Sequence, residues 1–163
     1  MKNILSVLVE NKAGILARTA GLFARRGFNI ESLAVGETTD ARVSRMTIVV
    51  DGDEAIIGQV EKQLNKQIDV IKVRALGADE AVCREAALIK VKAGADARGQ
   101  INDIAAIMKA SIVDLSPTTA TLEIIDTPER VRQLLGLLMP YGITEMARTG
   151  TVAVLKGAGA LSI

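Results

Sequence analysis

The order of hydrophobic patterns along the chain, which occurs twice, is the feature that most restricts the fold. In the first half, apolar residues at strand spacing and at helical spacing follow each other as strand, helix, strand, strand, helix, strand. Gly27 suits the left-handed position that ends the first helix. The predicted elements are strands at 4–10, 29–37, 43–50 and 70–76, with helices beginning at Ile15 and after Asp53.

The second half repeats this order. Its helices carry two apolar stripes, and Thr127 with Pro128 caps the second helix. Two successive β-α-β-β-α-β units predict an α+β fold of two tandem ferredoxin-like sandwiches, each with helices on one face of an antiparallel sheet. The predicted strands are 87–91, 112–115, 120–125 and a final pair, 143–147 and 151–155, around Gly150; the stripes are Ile101, Ile104, Ala105, Met108 and Val131, Leu134, Leu135, Leu138.

The two units imply two small domains, 1–77 and 78–163, with the boundary near residues 77–80. The Gly-Ala-Gly-Ala sequence at 157–160 is typical of a flexible tail. Each sheet would leave one face and its edges uncovered. Because such surfaces are normally buried by another domain or by a second copy, we predict a homodimer.

The composition argues against several classes of function. The formal net charge is +1, and the chain has one tyrosine, two phenylalanines and no tryptophan, which disfavours nucleic-acid binding. Histidine is absent, and with it the commonest general base and metal ligand. The single cysteine, Cys83, is interpreted as a buried small hydrophobe. The absence of a long apolar stretch favours a soluble, cytoplasmic protein that does not enter a membrane.

The turn at residues 11–14 joins the first strand to the first helix. Free backbone N–H groups and the positive end of the helix face outward there, and such a place favours a carboxylate. Gly14 lets a ligand approach the backbone, and the Asn11 side chain has both a donor and an acceptor. From the spacing alone, however, the more ordinary interpretation is that Asn11 caps the helix.

The stretch from Glu10 to Val50 resembles the ACT domain that opens the small, regulatory subunit of acetolactate synthase. The resemblance rests on dense local matches rather than on one motif, and it continues more loosely through the second half at 86–91, 112–115 and 147–150. The matching segments are Leu5–Asn11, Gly14, Gly21–Phe23, Arg26–Leu33, Ser44–Thr47 and Glu61–Lys66.

This resemblance implies a non-catalytic subunit that binds a branched-chain amino acid, usually valine, between the ACT domains of two chains. It would activate a separate catalytic subunit and inhibit it in response to that end product. The catalytic subunit would carry thiamine diphosphate, Mg²⁺ and flavin adenine dinucleotide (FAD), and this chain would need no cofactor. The implied effector site combines the turn of one chain with a segment of the other: Asn11, Lys12, Ala13, Gly14, Ile15, Leu16, Val35, and from the second chain Asn29 and Ile30.

The sequence departs from the family pattern in the turn at Lys12 and Ala13, at Ile15 and Ala17 after it, at Val35 with Gly36, and in the short connection at residues 38–41. These departures leave valine, leucine and isoleucine open as the effector. Two other functions remain open. One is a stand-alone tandem ACT sensor that controls gene expression, although no helix-turn-helix is evident. The other is a small carboxylate-and-metal enzyme, which is disfavoured because no convergent acid-base pair is visible.

Overall fold

The computed structural model describes residues 2–77 and 79–163; Met1 and Ala78, the latter within the predicted domain boundary, lie outside them. The predicted β-α-β-β-α-β order is confirmed in both halves. The first half contains β1 (Lys2–Glu10), α1 (Ile15–Arg25), β2 (Ile30–Glu37), β3 (Val43–Asp51), α2 (Glu54–Leu64) and β4 (Val70–Leu76). The second contains β5 (Ala81–Lys92), α3 (Ala95–Met108), β6 (Ser111–Leu115), β7 (Thr119–Asp126), α4 (Pro128–Leu138), a 3-10 turn (Met139–Tyr141), β8 (Ile143–Arg148) and β9 (Val152–Leu155).

The first sheet has the strand order β2-β3-β1-β4, and each of its neighbouring strands pairs antiparallel. Alternate residues of β1 and β3 point toward α1 and α2, where they form one apolar core. Asp53 begins α2 by accepting a hydrogen bond from the Ile56 N–H. The core between this sheet and its helices is built from Leu5, Val7, Val9, Met46, Ile48, Val50, Leu22, Phe23, Val60 and Leu64.

The chain divides into two compact units, and the first contains Thr151–Ile163 in addition to the residues up to Val82. The linear boundary predicted near residue 77 assigns this last segment to the second domain instead. The structure groups it with the first because Leu161 is buried with Leu8 and Val43. Proximity in sequence does not determine which sheet a terminal segment packs on.

The expectation of a flexible tail is therefore wrong for the end of the chain. The Lys72 Nζ donates a hydrogen bond to the Ser162 carbonyl (3.0 Å), and the Thr151 N–H donates to Ser32 Oγ on β2 (3.4 Å). Small residues at 157–160 made this segment look unstructured, but a single apolar side chain beyond them anchors it. Ser6 and Leu8, on the helix-free face of the first sheet, are already buried within one chain. This burial weakens the argument that a second copy is needed to cover that face.

The second unit, Cys83–Gly150, contains a sheet of order β6-β7-β5-β8 with α3 and α4 on one face. Thr127 and Pro128 begin α4 as predicted, with Thr127 Oγ1 accepting a hydrogen bond from the Arg130 N–H. Both predicted final strands form, and β8 pairs antiparallel with β5. Leu88 and Ile125 remain exposed on the helix-free face of this unit.

Candidate functional site

The turn between β1 and α1 has an unusual helix start. Gly14 occupies the N-cap position with φ 85°, and no side chain caps the helix. The Arg18 N–H bonds back to the Gly14 carbonyl (3.0 Å), so the N–H groups before it belong to the unbonded first turn. No acidic residue lies in that turn to offset its partial positive charge. This helix start can therefore accept an external anion.

Asn11 does not cap α1, so the ordinary interpretation drawn from its spacing is wrong. Its side-chain amide nitrogen donates to the Ala41 carbonyl (2.9 Å) and to Glu37 Oε1 (3.1 Å). Its backbone N–H donates to the Arg42 carbonyl (2.7 Å). These bonds tie the turn to the β2-β3 connection, and they leave the Asn11 amide oxygen as an acceptor that can face a ligand.

Charged pairs surround this turn. The side chain of Lys12 is paired with Glu10, and this hydrogen bond raises the pKa of Lys12. Asp40 receives hydrogen bonds from the Arg42 guanidinium and backbone N–H, which lower the pKa of Asp40 to about 2. Asp40 and Arg42 therefore hold the connection that anchors Asn11. From the sequence, Asp40 is predicted only as part of the short connection at residues 38–41, and Arg42 is not predicted to have a role, because nothing in their spacing indicates a link to the turn.

The apolar residues of the predicted site separate into two groups. Ile15 is buried in the core with only 3% of its surface exposed, so its side chain cannot line a pocket at the turn. Leu16 and Val35 are about half exposed, at 48% and 46%. Val35 lies opposite Met46, a core residue, and so is on the helix-bearing side of the sheet near its edge. Ala13 is exposed within the turn itself.

Asn29 and Ile30 lie far from the turn within one chain. Ile30 pairs with Val50, and Val50 pairs with Asn3, whereas Asn11 follows the opposite end of β1. At about 3.3 Å per residue, the two ends of β1 are about 25 Å apart. A single chain therefore holds Asn11 and Gly14 in one turn, with Leu16 in the first turn of α1, and it places Asn29 and Ile30 at the other end of the sheet.

Other kinds of site find little support in the part of the chain that the structure describes. Within it, no three His, Cys, Asp or Glu side chains are grouped as metal ligands. No helix there has the length and apolar character needed to span a bilayer. Cys83 is only partly buried on β5, so its expected full burial is not met. The turn and its surroundings remain the leading candidate site.

Comparison with protein families assigns both halves of the chain. Residues 5–72 match the AHAS small subunit-like ACT domain. Residues 84–157 match the small subunit of acetolactate synthase. The first match includes the turn, α1 and the whole of β2 and β3, and it confirms the resemblance drawn from the sequence.

Individual relatives extend this result over nearly the full length. An acetolactate synthase small subunit from Mycolicibacterium smegmatis is 52% identical over 153 residues, covering 94% of this chain and 90% of the relative. A probable acetolactate synthase small subunit from Archaeoglobus fulgidus is 50% identical, covering 96% and 98%. The crystal structure of the acetolactate synthase small subunit from Thermotoga maritima superimposes with a TM-score of 0.90 at 38% identity, covering 98% and 99%. The chain therefore belongs to the family of acetolactate synthase small subunits, and its first half is an ACT domain.

Proposed function

We propose that this chain is a non-catalytic regulatory subunit that activates the catalytic subunit of an acetolactate synthase. In this role it confers feedback inhibition by a branched-chain amino acid in the biosynthesis of valine, leucine and isoleucine. Valine is the leading candidate for this effector. The names of its relatives support a catalytic large subunit as partner. The observation that carries the proposal is the uncapped start of α1 at Gly14, exposed beside the anchored Asn11.

The groups at this turn suit the two ends of an amino acid. The backbone N–H groups at the start of α1 would receive the ligand carboxylate. The Asn11 amide oxygen would receive the ammonium group, since the amide nitrogen is already bonded to Ala41 and Glu37. Leu16 and Val35 supply exposed apolar surface for a branched side chain. Gly14 contributes by having no side chain in the ligand's path.

The remote position of Asn29 and Ile30 supports a site shared between two copies. β2 is an edge strand, so its outer side is available for pairing. If two copies pair their β2 strands antiparallel about a twofold axis, the start of one β2 meets the end of the other. Ile30 of one copy would then approach Glu37 and Asn11 of the second. The homodimer and the complete effector site are thus one proposal.

In the proposed complex the cofactors belong to the catalytic subunit, which would hold thiamine diphosphate, Mg²⁺ and FAD. This chain would contribute no cofactor and no catalytic residue. It would instead shift the catalytic subunit between a more active and a less active arrangement, since valine can alter activity only by binding the two arrangements unequally.

Co-expression with the catalytic subunit of the same organism tests this function. We expect the two chains to purify together, the complex to exceed the catalytic subunit alone in acetolactate formation, and valine to reduce the rate only when this chain is present. Leucine and isoleucine, assayed in parallel, identify the effector. Failure to associate, or valine inhibition that is the same without this chain, would refute the proposal.

A further inference from the structure

Three cationic side chains share the face of the first sheet that carries no helices. Arg45 lies opposite Leu8, Leu8 lies opposite Lys72, and Arg74 lies opposite Ser6 on the same face. Lys72 bonds the Ser162 carbonyl, and Arg74 is 3.7 Å from Glu80. Arg45 differs from both, because none of the hydrogen bonds or ion pairs recorded for residues 2–77 and 79–163 involves its guanidinium.

The Arg45 guanidinium is shielded without being satisfied. Both Nε and Nη2 are buried and make no hydrogen bond. Burial lowers the pKa of Arg45, and no neighbouring anion opposes that shift. Arg45 as a whole is only partly buried, but its two shielded nitrogens lack the hydrogen bonds that a charged group normally makes when it leaves water. The side chain is therefore poised for an anion that the chain itself does not supply.

A second polar group on the same face is also unsatisfied. Ser6 is fully buried, and its Oγ makes no hydrogen bond. Ser6 pairs with Thr47, and Arg45 is two residues from Thr47 along β3, so Ser6 and Arg45 are diagonal neighbours. Long side chains reach across such a diagonal in a sheet. Two unsatisfied donors thus occupy adjacent positions.

Space for a ligand lies on the other side of Arg45. Gly36 is its direct partner on β2, and no atom lies within 4 Å of the point where a Cβ of residue 36 would stand. Gly36 is exposed, so this space is open surface, and a rotation of the flexible arginine stem toward it would bring the Nε–Nη2 edge there. That edge carries two parallel N–H groups, the arrangement that binds carboxylate or phosphate in a bidentate manner.

We propose that Arg45, with Ser6 beside it and Gly36 opposite, forms a binding site for a small oxyanion, either a carboxylate or a phosphate. The site is on the opposite face of the sheet from α1, and it is separate from the proposed effector site at residues 11–14. It does not depend on the regulatory function proposed above, because its argument uses only the unsatisfied donors and the open space.

Thermal unfolding of the full chain tests this site. Sodium chloride is replaced stepwise by sodium phosphate, and in a second series by sodium acetate, at constant ionic strength. We expect Tm to rise with the concentration of at least one anion, since a ligand that binds only the folded state stabilises it. The series that responds distinguishes phosphate from carboxylate. A wild-type Tm that is flat in both series would overturn the proposal.

Variants locate the response. Arg45→Met removes the charge but keeps the length, so we expect it to abolish the anion-dependent rise. Arg45→Lys keeps the charge without the bidentate edge and should weaken apparent binding by about tenfold or more. Arg25→Met, an exposed arginine at the end of α1, is the matched control and should respond as the wild type does. An equal response in the wild type and in both Arg45 variants would place the anion elsewhere and refute the site.

Discussion

Gly14 holds a backbone conformation, φ 85°, that residues with a side chain rarely adopt. It also leaves open space where a side chain would stand, so a larger residue meets no atom of the protein within 4 Å of its Cβ. A substitution at this position is therefore opposed by backbone strain and by whatever binds the turn, and not by packing within the chain. Asn and Asp are the side chains that tolerate this conformation best.

The pair Gly14→Asn and Gly14→Asp separates charge from strain. The two side chains have nearly the same size, but the aspartate adds a negative charge where the proposed carboxylate binds. By titration calorimetry, we expect Gly14→Asp to lose most of its valine affinity. The valine affinity of Gly14→Asn should exceed that of Gly14→Asp by about tenfold or more. Both variants should keep the fold, as checked by circular dichroism. Undiminished valine binding by Gly14→Asp would remove the turn from the site.

Asp40 gives the turn a pH dependence at low pH. Its pKa is about 2 in the folded chain against an ordinary value of 3.8 for an aspartate, so folding favours the charged form. The stabilising contribution is fully present above about pH 4 and is lost as the pH falls through about 2. Nuclear magnetic resonance titration of the Asp40 carboxyl carbon should show this low midpoint. The Asn11 side-chain amide signals should shift with it, because both residues hold the same connection.

Replacement of the arginine partner checks the cause of this shift. Arg42→Gln removes the guanidinium, and we expect the Asp40 pKa to return toward 3.8. Arg132→Gln, which disrupts an ion pair with Glu129 on α4, should leave it at about 2. A low pKa that persists in Arg42→Gln would mean that backbone hydrogen bonding at Asp40 is the principal cause.

At the scale of secondary structure, the segment after β8 is the part of the chain that most changes the description of the first unit. It contacts β2 through Ser32, β4 through Lys72, and the β1-β3 face through Leu8 and Val43. The contact at Ser32 is on the strand that carries Ile30 and Val35 of the proposed effector site. The last residues therefore belong to the structure of the first unit.

Truncation of Leu161 measures how much this anchor contributes. Only 8% of the surface of Leu161 is exposed to solvent, so Leu161→Ala should lower the free energy of unfolding by about 2 to 3 kcal/mol. Ile163→Ala is the control, since Ile163 is 75% exposed and its loss should cost less than about 0.5 kcal/mol. Urea unfolding followed by circular dichroism gives both values. Equal stability of the two variants would show that the terminal segment does not hold Leu161 in place.

For the whole molecule, the separation of Asn11 from Asn29 means that the proposed effector site, if it includes both residues, would have to use two chains. Each symmetric dimer would then contain two sites, and each site would take its turn from one chain and its Asn29 from the other. A lesion in either half removes both sites of a homodimer. In a mixed dimer, one chain carries a substitution in the turn and the other carries a substitution at Asn29. One site then contains both substitutions, and the other site contains neither.

A mixing experiment tests this arrangement. Gly14→Asp and Asn29→Asp homodimers should each fail to bind valine, while dimers formed by co-expression of the two should recover about a quarter of the wild-type binding sites if the chains combine at random. Calorimetric stoichiometry provides the measurement. A mixture that binds no more than the separate homodimers would contradict the shared site, and so would full binding by the Asn29→Asp homodimer.

Much of the fold follows from local sequence. Alternation in β3 and the helical stripe of α4 predict their elements because the buried face of a strand or helix repeats at a fixed spacing. Thr127 and Pro128 predict the start of α4 since they act through adjacent backbone groups. The position of residues 11–14 between a strand and a helix likewise predicts the turn.

Only the tertiary structure shows what each part of that turn does. In the folded chain the Asn11 side chain donates hydrogen bonds to Ala41 and Glu37 and does not cap the helix. Ile15 is buried in the core. The tertiary structure also brings Leu161 onto the first sheet, and among the described residues it leaves Nε and Nη2 of Arg45 without a hydrogen-bond acceptor. These outcomes depend on contacts between residues distant in sequence, whose partners are selected by packing and by the pairing of strands. The sequence by itself determines the two repeated units and the turn; the tertiary contacts determine which of its side chains remain available to a ligand.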